Sequence, residues 1–104
     1  MLTLRETPIY SKMIDSLLSK DMQGELHSYI ASNVTKGDVI PHSGGCRKIR
    51  WTLQGKGKSA GIRVIYYNQL ENGVINLLLA YAKSKQENIP SHILKQIVKE
   101  LDND

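Results

Sequence analysis

A chain of 104 residues suffices for one domain with one modest core, and its 40% apolar content favours folding over disorder. Fourteen Lys and Arg against ten Asp and Glu leave a net charge of +4, which makes polyanions plausible partners. The single cysteine, Cys46, excludes an internal disulfide and the CxxC metal spacings, and the longest apolar run, Leu77 to Ala82, is far short of the ~20 residues that cross a bilayer.

The chain opens with Leu2-Thr3-Leu4-Arg5, a short strand with Leu2 and Leu4 on one face. Arg5 and Glu6 stand where a signal peptide needs an apolar segment, so a cytoplasmic protein without a membrane partner is expected. Thr7-Pro8 is a helix-start signal, because proline in the first turn loses no hydrogen bond. Ile9, Tyr10, Met13, Ile14, Leu17 and Leu18 then recur at helical spacing, and the helix should end near Leu18 or Ser19. Met22, Leu26, Tyr29 and Ile30 mark a second helix, weakened by Gly24.

Asn33 to Asp38 is turn chemistry, Val39-Ile40-Pro41 is extended, and His42-Ser43-Gly44-Gly45 is a loop. Arg47 to Leu53 reads as a strand with Ile49, Trp51 and Leu53 facing inward and Lys48 and Arg50 on the other side. A second strand, ending at Tyr67, carries Arg63, and a third follows the Asn72-Gly73 hairpin signal from Val74 to Tyr81. Strict alternation puts Ile75, Leu77, Leu79 and Tyr81 on one face of that third strand and Leu78 and Ala80 on the other. Being apolar on both faces, it should lie centrally. Asn88-Ile89-Pro90 opens a last helix with Ile89, Ile93, Leu94, Ile97, Val98 and Leu101 as its buried stripe. The expected fold is a single α+β domain over 1–104, in the order β-α-α-β-β-β-α, with an antiparallel sheet and the helices packed on one face of it.

Charge is concentrated in the middle of this order. From Val39 to Leu70 there are six Lys or Arg and no acid. Pairing the two basic strands around Gly55-Lys56-Gly57-Lys58 brings Lys48, Arg50 and Arg63 to one surface, with Lys56 and Lys58 at its rim. Such a surface fits phosphates. It is not a P-loop, because Thr52 stands where that motif has its first glycine. His27, His42 and Cys46 show no metal or nucleophile spacing, and Trp51 and Tyr66 read as core. Tyr67 and Tyr81 share faces with Arg63 and Lys83 and are candidates to stack on RNA bases.

Gly37-Asp38-Val39-Ile40, Gly44-Gly45-Cys46-Arg47-Lys48-Ile49-Arg50, Gly55-Lys56-Gly57-Lys58, Gly61-Ile62-Arg63-Val64-Ile65-Tyr66-Tyr67 and Tyr81-Ala82-Lys83 follow one another in an order and at spacings that resemble the RelE/HigB-type toxins of bacterial type II toxin–antitoxin pairs. The resemblance covers nearly the whole chain. It implies a ribosome-dependent mRNA endoribonuclease that cuts the message in the ribosomal A site, with a cognate antitoxin, the ribosome and mRNA as partners. By motif position it places catalytic roles on Lys48, Arg50, Arg63 and Lys83. Beside them, Arg47, Lys56, Lys58, Tyr67, Tyr81 and Lys85 are the expected RNA contacts. A ParE-like gyrase inhibitor or an inactive RNA-binding relative of the same fold is the alternative it leaves.

Attack of a 2′-OH on the adjacent phosphate needs a base, an acid and positive charge against the phosphorane, and it calls for no metal or other cofactor. Arg50 and Arg63 suit the charge role, because a planar guanidinium can grip phosphate through two bonds. Crowding among cations would favour Lys48 as a base. The sequence departs from the family pattern at Ser59-Ala60, at Ser84 and at Pro90, the last near a catalytic tyrosine of some relatives. His92, just inside the last helix, is the candidate to take that tyrosine's place.

Overall fold

A computed structural model of the chain describes residues 2–52, 61–82 and 89–102. Thr7 is the N-cap the sequence predicts. Its Oγ1 accepts from the Tyr10 N–H at 3.0 Å and donates to the Leu78 carbonyl at 2.9 Å, so one hydroxyl starts helix α1 (Pro8–Leu17) and ties it to the sheet. Ser19 caps α2 (Lys20–Ser32) in the same way through the Met22 N–H. The strands are β1 (Thr3–Glu6), β2 (Asp38–Val39), β3 (Arg47–Trp51), β4 (Ile62–Gln69) and β5 (Val74–Ala82), and α3 spans Ser91–Asp102.

The domain is α+β, as expected, but the sheet is mixed rather than antiparallel. Its order is β1-β5-β4-β3-β2, and β1 runs parallel to β5 while the other neighbours are antiparallel. The chain leaves β1 into two helices and reaches β5 only after the meander, the kind of long connection that parallel pairing requires. The two-residue β2, read from sequence only as extended chain, pairs with β3 and makes the element order β-α-α-β-β-β-β-α.

The helices also divide between the two faces instead of sharing one. Tyr10, Ile14, Leu26 and Ile30 of α1 and α2 pack with Ile49, Val64, Tyr66, Ile75, Leu77 and Ala80. Leu94 and Val98 of α3 pack with Cys46, Ile65, Leu78, Leu79 and Tyr81 on the opposite face. The central strand β5 is apolar on both sides and must be covered on both. Of the stripe expected on α3, Ile93 is instead 45% exposed.

A bulge accounts for the error in the face assignment along β5. Ile65 pairs with Leu79 but Tyr66 pairs with Leu77, leaving Leu78 as the extra residue in β5. The alternation shifts there, so Leu78 and Leu79 both look toward α3 while Leu77 and Ala80 look toward α1 and α2. The Asn72-Gly73 signal is realised as a 3-10 turn, Leu70–Asn72, closed by Gly73 in the left-handed conformation at φ 68°.

Candidate nucleic-acid interface

The register of the central strands builds the site. Arg50 lies opposite Arg63, and Arg63 lies opposite Tyr81, so the three side chains form a row across β3, β4 and β5 on the α3 face. Lys48, two residues before Arg50, shares that face and pairs with Ile65. Arg50 is exposed, Lys48 is half-buried, and Arg63 is only 8% exposed.

Arg63 is therefore a buried cation with another cation beside it. Burial lowers its pKa, the Arg50 charge lowers it further, and Tyr81 acts in the opposite direction. The group stays charged near neutrality, because an arginine starts far above that range. Burial raises the Tyr81 phenol and the Arg63 charge draws it back, which leaves Tyr81 a neutral hydroxyl. Among the described residues no carboxylate forms an ion pair with Arg63, Arg50 or Lys48. A buried charge without a counter-ion is costly, so this face favours an anion from outside.

The other expected residues are distributed as follows. Arg47 sits on the opposite face, where its Nη1 donates to the carbonyls of Thr35 at 3.0 Å and Gly37 at 2.7 Å, holding the turn that leads into β2. Tyr67 shares the face of Arg63, is half-buried, and packs beneath Gly45. His92 is exposed on the first turn of α3, the helix that lies over this face. Lys56, Lys58, Lys83 and Lys85 lie outside the described residues. Among the described residues no cluster of His, Cys, Asp or Glu could hold a metal ion, and no helix is long and apolar enough to cross a membrane.

One carboxylate at this face belongs to the Gly37-Asp38-Val39-Ile40 motif, and the sequence alone gives it no site role. Asp38 of β2 is the register partner of Lys48, and both line a groove closed on its other side by Ile89, Pro90 and Ser91. The turn before Asp38 is fixed from below: the Tyr66 hydroxyl accepts from the Gly37 N–H at 3.1 Å and donates to the Val34 carbonyl at 2.9 Å. A Cβ on Gly37 would lie 2.7 Å from that hydroxyl oxygen, so only glycine lets the chain pass there. The signal for Asp38 is this register, which a two-residue strand is too short to announce.

No family model matches the chain.

Proposed function

We propose that the protein is a metal-independent endoribonuclease that cuts mRNA in the ribosomal A site, the toxin of a toxin–antitoxin pair. The observation that carries this reading is the buried Arg63, with Arg50 directly opposite and no acidic partner among the described residues. Two guanidinium groups aligned across a ladder suit the non-bridging oxygens of one phosphate, where negative charge grows in the transition state. The ordered motifs that resemble RelE/HigB-type toxins supply the reaction class and the partners.

In this reading Arg50 and Arg63 hold the scissile phosphate, and Tyr81 offers a neutral hydroxyl next to Arg63. Lys48, two residues before Arg50 on the same face, adds a further positive charge against the phosphate, and His92 is the candidate for proton transfer in the cleavage. Lys83 takes its part in this reading from the motif resemblance, and the antitoxin covers this face when the toxin is silent. The protein works in the cytoplasm, where the ribosomes are.

Toeprinting of a translating ribosome on a defined message tests it. New mRNA ends in the A-site codon are expected with the purified protein and not with Arg63→Ala. An intact message with both proteins would sink the reading and send the search to gyrase.

A further inference from the structure

The groove between β2 and the approach to α3 has a composition that the phosphate site alone does not explain. Val39 (56% exposed), Ile40 and Pro90 lie along it, and a carboxylate and an ammonium, Asp38 and Lys48, stand among the same lining residues. Asp38 and Lys48 are directly opposed in the β2–β3 ladder, a position in which Cβ atoms are about 5 Å apart. They form no ion pair among the described residues, so both keep capacity for a ligand.

A partly apolar groove with an acceptor and a cation at one edge matches a nucleobase joined to a phosphate. The acceptor narrows the choice. A carboxylate offers two acceptor oxygens and no donor. Guanine presents two adjacent N–H donors on its Watson–Crick edge. Adenine, cytosine and uracil each set an acceptor beside their donor there, which would face a carboxylate oxygen unfavourably. We propose that this groove is a base-selective subsite in which Asp38 takes up the Watson–Crick edge of an RNA guanine and Lys48 its phosphate. The assignment rests on the RNA-cleavage reading and adds a specificity-determining residue to it.

The test is an amide chemical-shift titration of the intact protein with the trinucleotides UGU, UAU, UCU and UUU, and with GTP. UGU should shift the Val39, Ile40 and Ser91 amides with a Kd at least tenfold below the other trinucleotides and below GTP. Asp38→Asn keeps the side-chain volume at an exposed position, so folding is not at stake. An amide pairs one donor with one acceptor, and this variant should lose the guanine preference and move toward adenine. Equal affinity for the four trinucleotides, or a guanine preference that survives Asp38→Asn, overturns the subsite. GTP binding tighter than UGU overturns its assignment to RNA. Toeprinting separates the two claims: Arg63-dependent cleavage with no guanine preference removes the subsite alone, whereas guanine preference without cleavage removes the nuclease reading alone.

Discussion

Arg50 and Arg63 face each other directly across the β3–β4 ladder, two like charges in a register where opposite charges would stabilise and like charges cost. The cost is raised because Arg63 is buried and lacks a carboxylate among the described residues. A fold built for stability alone has no use for this pair, whereas a phosphate between the two guanidiniums would offset both penalties.

Replacing Arg63 should therefore separate stability from function. Arg63→Met keeps the length of the side chain, removes the buried charge, and should stabilise the free protein by on the order of 1 kcal/mol. For a domain near this size that raises Tm by about 4–8 °C. Message cleavage should fall by about 10²–10³-fold, the usual effect of removing one preorganised charge contact. Thermal melting and toeprinting on the same preparation check it, and a lower Tm would show that Arg63 has a structural partner.

Salt dependence should count the cations that meet RNA. If Lys48, Arg50 and Arg63 each neutralise one phosphate of a single strand, log K against log[salt] should have a slope of about −2, at roughly −0.7 per contact. Arg50→Ala should make it shallower by about 0.7. Arg47→Ala should leave it unchanged, because that side chain lies on the opposite face and is bonded to the Thr35 and Gly37 carbonyls. Fluorescence anisotropy with a single-stranded oligonucleotide over a salt series measures all three.

Much of the fold was legible because local signals and the global arrangement agree. Thr7-Pro8 capped a helix, β5 was central, and the two-residue periodicity placed Lys48, Arg50 and Arg63 on one face. What was missed depends on contacts between distant segments. Parallel pairing of β1 with β5 joins residues some seventy positions apart, such as Thr3 and Val74. The bulge at Leu78 exists only as a mismatch between two strands, and it alone overturned the alternation read along β5. Arg47 looked like Lys48 and Arg50 in a run of bases, and only the carbonyls beneath it reveal its different task. Asp38 lay outside the acid-free stretch, and nothing short of register connects it with Lys48.

The turn that positions Asp38 should be sensitive to one hydroxyl. Tyr66→Phe removes the acceptor for the buried Gly37 N–H. The Val34 carbonyl keeps a second donor in the Asn68 side-chain amide at 2.8 Å, so a single orphaned donor remains. The expected loss is about 1–3 kcal/mol of stability, read by urea denaturation. In amide exchange the loss of protection should concentrate at Gly37 to Val39. Uniform loss over the sheet would mean that the hydroxyl supports the whole core rather than the β2 turn.

Acid should weaken the junction between the first two helices. The Tyr10 hydroxyl lies 3.0 Å from His27 Nε2, and the two rings are tilted against each other with centroids 5.9 Å apart. Burial holds the His27 pKa below its ordinary 6.5; Glu6 acts against that shift and Lys20 adds to it. Burial also pushes the Tyr10 phenol far up, so it stays neutral beside the imidazole across the whole range. A group with a depressed folded-state pKa binds its proton more readily in the unfolded chain. Stability is therefore intact above the unfolded value and falls as pH drops below about 6.5, until the folded imidazole also titrates. Tm should decline between pH 7 and 5, and His27→Gln, which cannot charge, should flatten that part of the curve. A decline of equal size in the variant would place the acid sensitivity elsewhere in the chain.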